Sequence, residues 1–222
     1  MRALVVSTRI AVSWLGVPPA EEWVTARAEF LRCVTAASLE RVSVPVDWVW
    51  VAAPEREAQV REMAKEIYPR AIIVREHSKR DIEEIAPESS FVLVRLDSDD
   101  AFLPEALDQV VAMELEPKTL VDWPCGWQLD WNSGRLGEWA WPHDDQGPFL
   151  AVTVEDRKSL LRTSLGPHRN ARQDRHVVTI PTRSWVQVIH GESTRNDWRC
   201  QNALSPESCD EILRRTGVNY PC

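Results

Sequence analysis

The chain has no uninterrupted apolar run near the roughly 18 residues that a membrane-spanning helix requires, and the apolar part of residues 1–7 is too short for a secretory signal. A soluble, cytoplasmic protein is the expectation. Its five cysteines, Cys33, Cys125, Cys200, Cys209 and Cys222, form no CxxC pair and no zinc-like spacing, which argues against a disulfide framework or structural metal and for reduced thiols. A basic excess is also missing. The 26 Lys and Arg against 34 Asp and Glu leave a net charge of −8, a poor balance for a non-specific nucleic-acid binder that must displace counterions. No linker, low-complexity tract or internal repeat divides the 222 residues, so a single domain over residues 1–222 is the simpler reading. Tyrosine is scarce, with two against eleven tryptophans. Tryptophans anchor cores, and their faces also stack on sugar rings and nucleobases.

What is there centres on Phe91-Val92-Leu93-Val94-Arg95-Leu96-Asp97-Ser98-Asp99-Asp100, an apolar run with the composition of a buried strand that stops on three carboxylates. Such charges cannot continue into a core without partners. They belong at the mouth of a sheet, where open α/β folds deliver ligand-binding groups. Asp97 and Asp99 are two apart, so an extended backbone points them the same way, with Asp100 brought alongside by a slight turn. Oxygen ligands crowded in this way suit Mg²⁺ or Mn²⁺. The competing reading is a helix cap, with Asp99 or Asp100 opening a helix over residues 101–115.

Before this stretch, residues 4–7 read as a first strand running into Thr8-Arg9. An arginine at that edge is placed to meet phosphate through its planar fork. Helical spacing over residues 21–39, carried by Trp23, Ala26, Phe30, Leu31, Val34 and Ala37, is followed by a strand at 46–52, a helix opened by Pro54, and a strand at 71–74. Residues 78–86, with Lys79, Arg80 and Asp81, read as a polar helical piece. Strands alternating with helices imply parallel pairing through right-handed crossovers. After a helix near 104–115 the character changes. Strands are expected at 120–123 and 127–131, with a hairpin turn at Asn132-Ser133-Gly134-Arg135 and a second arm through Trp139-Ala140-Trp141-Pro142. Gly147-Pro148-Phe149 breaks the chain, residues 155–165 read as a short helix, strands follow at 177–180 and 185–189, and a last helix at 206–215. The strand at 185–189 ends on His190-Gly191.

Four segments, Ser7-Thr8-Arg9-Ile10, Arg95 to Ala101, Gly147-Pro148-Phe149 and Trp185 to Gly191, stand in the order in which the rhamnosyltransferase family carries similar motifs, and the likeness spans roughly residues 4–196. The chain resembles that family, whose fold is of the glycosyltransferase A type. The resemblance implies an α/β domain with a mostly parallel central sheet flanked by helices and a smaller antiparallel hairpin region. Residues 1–115 would be the nucleotide-sugar-binding half and residues 116–222 the half that completes the metal and acceptor sides. The family's DxD motif falls on Asp97-Ser98-Asp99: one acid would meet ribose or metal, the other would hold Mn²⁺ or Mg²⁺ against the donor diphosphate. His190 falls on the late histidine that ligates the same metal, giving Asp97, Asp99 and His190 as ligands. Thr8, Arg9, Arg95, Asp97 and Ser98 form the implied donor set, with Asp100 and Arg80 beside it. Val154-Glu155-Asp156 has the form of an xED motif, making Asp156 the base for the acceptor hydroxyl, with Asp144, Asp145 and Asp174 as rivals. Asn196 matches a loop asparagine without an assigned role.

The function so implied moves a sugar from a UDP-, dTDP- or GDP-linked donor to a hydroxyl on a glycan, lipid-linked sugar, metabolite or modified DNA base. Nothing in these residues selects a 6-deoxy sugar. Two other classes compete, a metal-dependent phosphohydrolase using the acid cluster and a non-catalytic sugar- or nucleotide-binding module.

Overall fold

In the computed structural model the described residues are 2–13, 16–76, 87, 89–142, 147–155, 175–191, 197–200 and 202–220. The chain opens with β1 (Ala3–Ala11), whose β-branched run is buried except near its end. Helix α1 (Glu21–Phe30) runs without a break into a π-helical stretch at Leu31–Ala36 and a last turn at Ala37–Leu39. Then follow β2 (Val46–Ala52), α2 (Glu57–Ile67) and β3 (Ile72–Arg75), with Pro54 starting the turn before α2, where its missing N–H costs nothing. Beyond β4 (Phe91–Arg95) come β5 (Asp100–Phe102), α3 (Pro104–Ala112), β6 (Leu120–Asp122), β7 (Cys125–Asp130) and β8 (Leu136–Ala140). The chain closes through β9 (Leu150–Val154), β10 (Val177–Thr179), β11 (Trp185–Ile189) and α4 (Pro206–Thr216).

A seven-stranded sheet has the order β10-β6-β9-β4-β1-β2-β3. Every neighbouring pair in it is parallel except those made by β9, which runs antiparallel to both β4 and β6. The mixed, mostly parallel α/β layer agrees with the sequence expectation. From β1 the chain winds outward through β2 to β3, then returns to place β4 on the other side of β1, so the winding reverses between β1 and β4. Ligands of open α/β sheets bind at the carboxyl ends of strands flanking such a reversal.

Alternation along the strands sorts the core. Leu4, Val6, Trp48, Trp50, Val92 and Val94 pack with Val24, Leu31, Val60, Met63, Leu107 and Val110 from the helices. Val5, Val49, Val74, Phe91, Leu93 and β9's Leu150, Val152 and Val154 form a second cluster. A second sheet, β5-β11-β7-β8, packs Trp127, Leu129, Val186 and Val188 against Phe30, Val34 and Ile212. Gly126 is required there, because a Cβ at this position would lie only 2.1 Å from the Trp185 ring. The expected hairpin turn is present: Gly134, at φ +69°, donates its N–H to Asp130 O at 2.8 Å.

Two strands were not expected. Residues 150–154 are buried on both faces and show no alternation, which is the pattern of a central strand. β5 has only three residues and exists through its antiparallel pairing with β11. Helix α1 and its continuation bury Phe30, Leu31 and Val34 as expected, but the first turns are rotated. Val24 and Arg27 are buried while Ala26 is exposed, because Arg27 has a carboxylate partner inside.

Candidate active site

The carboxyl ends of β1 and β4 stay joined one residue past the strand, where Leu96 donates its N–H to Ser7 O at 3.1 Å. The chain then turns, with Asp100 N–H donating to Asp97 O at 3.3 Å. That turn gives the three acids three different environments.

Asp97 stays at the open edge, with its side chain 37% exposed and its Oδ1 3.5 Å from Arg95 Nη2. Arg9, from the end of β1, is half-exposed and lies 3.9 Å from Glu76 Oε1. Glu76 Oε2 in turn accepts the Ser13 N–H at 2.7 Å. Burial lowers the Arg9 pKa, the like charge of Arg95 adds to this, and Glu76 and Asp97 oppose it. Two crowded guanidinium groups beside a carboxylate are suited to a phosphate anion, which relieves their repulsion and accepts their forked donors.

Asp99 points inward and is 5% exposed. Its Oδ2 accepts from Arg27 Nη1 at 2.5 Å and from His190 Nε2 at 2.9 Å. Burial pushes its carboxyl pKa up, but the His190 hydrogen bond and the Arg27 charge hold it below the ordinary value. An ionised carboxylate is only an acceptor, so His190 Nε2 carries the hydrogen. The His190 ring stacks on Phe30 with centroids 4.1 Å apart, and the Arg27 guanidinium lies 4.5 Å from the centre of the Trp23 ring. Arg27 Nε is buried and has no hydrogen-bond partner among the described residues.

Asp100 is buried in β5. Its Oδ1 accepts the Val188 N–H at 3.1 Å and its backbone oxygen accepts the Thr35 hydroxyl at 3.0 Å. Burial, then the charges of Asp99 and Asp97, push its carboxyl well above the ordinary value. It serves as a structural group, outside the donor edge beside which the sequence placed it.

The structure therefore brings Arg9, Arg95 and Asp97 together at the strand ends and separates the expected metal ligands. Asp99 and His190 meet, but through the atoms that bind each other and Arg27, while Asp97 lies on the open side with Arg95. Among the described residues no group of three or more His, Cys, Asp or Glu could hold a metal ion. The arrangement does not fit a divalent cation ligated by Asp97, Asp99 and His190 together.

Two further donor residues are corrected. Thr8 is fully buried and its hydroxyl accepts the Trp48 Nε1–H at 2.8 Å, so it belongs to the core. Ser98 is buried inside the turn. Asp156, Arg80, Asp144, Asp145, Asp174 and Asn196 lie outside the described residues. Sequence reasoning missed Arg27 and Glu76. For Arg27 a signal existed, a lone basic residue flanked at helical spacing by Val24, Phe30 and Leu31.

No family model and no curated protein matches this chain, so the resemblance to rhamnosyltransferases is not supported by a family match. Among solved structures it is similar to the inositol-1-phosphate CTP transferase from T. maritima, at 10% identity and a TM-score of 0.48 over 100% of this chain and 99% of that one. It is also similar to the glycosyltransferase GlyE of Streptococcus pneumoniae TIGR4, at 12% identity and a TM-score of 0.41 over 100% of this chain and 66% of that one. A third likeness is to the 4-diphosphocytidyl-2C-methyl-D-erythritol synthase from Anaerococcus prevotii DSM 20548, at 11% identity and a TM-score of 0.45 over 80% and 87% of the two chains. These likenesses concern the path of the chain, and no activity is taken from them. Among the described residues no helix is long and apolar enough to cross a membrane.

Proposed function

We propose that this chain is a transferase acting on a nucleotide-sugar donor, moving the sugar to a hydroxyl acceptor. The observation that carries the reading is the grouping of Arg9, Arg95 and Asp97 at the strand ends where the sheet reverses its winding. A nucleoside diphosphate offers what this edge can bind: phosphate oxygens for the two guanidinium groups and ribose or sugar hydroxyls for the Asp97 carboxylate. In the transfer, the acceptor oxygen bonds to the anomeric carbon and the bond from that carbon to the diphosphate oxygen breaks. The electron pair leaves with the nucleoside diphosphate, and the acceptor proton passes to a base. Arg9 and Arg95 would stabilise the charge that develops on the leaving phosphate, which is where fixed donors accelerate such reactions. For the base, the sequence nominates Asp156.

A phosphohydrolase with an aspartate nucleophile fits less well, because Asp99 and Asp100 are buried and hydrogen-bonded. The test is a thermal-shift screen with UDP, dTDP, GDP and CDP and their sugar conjugates. At about 100 times its dissociation constant, a bound ligand stabilises the fold by about 2.7 kcal/mol, which for a chain of this length is a rise of about 5 °C. One nucleotide should give that shift, and the Arg9→Met/Arg95→Met double variant should abolish it. No shift with any nucleotide, or an undiminished shift in the double variant, refutes the assignment.

A further inference from the structure

We infer that Arg27 is a built-in cation that stands where the DxD-and-histidine pattern would place a divalent metal, so that donor binding at this site is independent of divalent cations. The part concerning donor binding rests on the proposed function; the part concerning metal does not.

The atoms with which Asp99 and His190 face each other are already engaged. Asp99 Oδ2 accepts from both Arg27 Nη1 and His190 Nε2, and those two nitrogens are only 3.5 Å apart. For His190 to ligate through Nε2, that nitrogen would have to give up the hydrogen it shares with an ionised carboxylate. For Asp99 to ligate through Oδ2, Arg27 would have to withdraw. A dication entering here would sit against a guanidinium in a buried place, where like charges repel far more strongly than in water. The single charge of Arg27 already balances that of Asp99.

Arg27 is also held where it is. Its side chain is 9% exposed and lies over the Trp23 ring. One turn further along α1, Phe30 stacks on His190, and in the π-helical stretch that follows Thr35 donates to the backbone oxygen of Asp100. The same helix thus clamps the acid turn and the end of β11, and it carries Arg27 between them. Asp97, the remaining expected ligand, keeps to the open edge with Arg95. There the two guanidinium groups of Arg9 and Arg95 supply the positive charge that a diphosphate requires.

The experiment is a titration of the full chain with Mn²⁺ alone, followed by electron paramagnetic resonance of the free ion, on the wild type, His190→Gln and Arg27→Met. The expected result is equal uptake by wild type and His190→Gln, and one additional Mn²⁺ per chain in Arg27→Met, where the Asp99–His190 pair has lost the cation that excludes the metal. Wild-type uptake of one Mn²⁺ that His190→Gln removes overturns the inference, as does a folded Arg27→Met that gains none. If Arg27→Met does not fold, the comparison of wild type with His190→Gln still decides. No nucleotide is present, so failure of the transferase reading leaves this result standing. A nucleotide shift found in the thermal screen should be the same in EDTA as in Mn²⁺, and its disappearance in EDTA overturns the cation-independent binding.

Discussion

Removing the Arg27 charge without removing its bulk is the sharpest perturbation of the site. In Arg27→Met, the Asp99 carboxylate stays 5% exposed and keeps its hydrogen bond from His190, but loses its cation. Breaking a buried pair on one side costs about 3–5 kcal/mol, because the remaining charge is left without compensation. The surviving His190 bond favours the lower end, about 3 kcal/mol. For a chain of 222 residues the unfolding entropy converts 1 kcal/mol into about 2 °C. The expected fall in Tm is therefore about 6 °C. The control is Arg61→Met, which removes an exposed partner of Glu57 at 2.7 Å; such pairs contribute under about 1 kcal/mol, so its Tm should move by less than about 2 °C. Arg27→Lys keeps the charge but loses the fork and should lie between. The assay is far-UV circular dichroism of the three variants and wild type at pH 7.5. A fall in Arg27→Met no larger than in Arg61→Met would refute the view that Arg27 is the compensating charge of a buried acid.

Asp100→Asn should raise the Tm at pH 8 and lose that advantage by about pH 4. The folded carboxyl sits above its ordinary value, so the fold favours the protonated form and wild-type stability falls as pH rises from about 3.9, the unfolded value, through the folded one; the asparagine oxygen still accepts the Val188 N–H. A variant less stable than wild type at pH 8 would contradict this. Thr8→Val should strand the buried Trp48 N–H, costing about 1–3 kcal/mol, read as a lower urea midpoint, while the nucleotide-induced thermal shift stays unchanged; unchanged stability with weakened nucleotide binding would return Thr8 to the donor site.

Legibility in the sequence followed the distance over which a feature is decided. The hairpin at Asn132-Ser133-Gly134-Arg135 was readable because its register depends on a glycine with positive φ and on Asp130, which accepts from Ser133 and Arg135 a few residues away. The parallel succession β1, β2, β3 was readable because its strands are short β-rich runs separated by helices, and β4 because Phe91 to Leu96 is one more such run. β9 was not, since an all-buried pentapeptide after Gly147-Pro148 gains its identity only from β4 and β6 on either side. The Arg27–Asp99 pair joins residues 72 positions apart, and Arg27–His190 spans 163. A basic residue on a helix reads as solvent-facing until its partner is known.

The three expected metal ligands part for a more local reason, and that reason organises the site. Residues at i and i+2 share a face only in an extended chain. Here Asp97 O accepts from Asp100 N–H, so the backbone turns within the motif, and Asp97 and Asp99 part company. Three carboxylates packed into four positions cannot all be buried with the same partner, since each added charge raises the cost of the next. The turn resolves the conflict by giving each a separate solution. Asp97 goes to the open edge beside Arg95 and Arg9, Asp99 to an internal cation, and Asp100 to a backbone N–H with its carboxyl pushed well above the ordinary value. A DxDD run after a strand therefore specifies the turn and the edge, and the residues that face it from α1 and β11 decide whether a metal can enter.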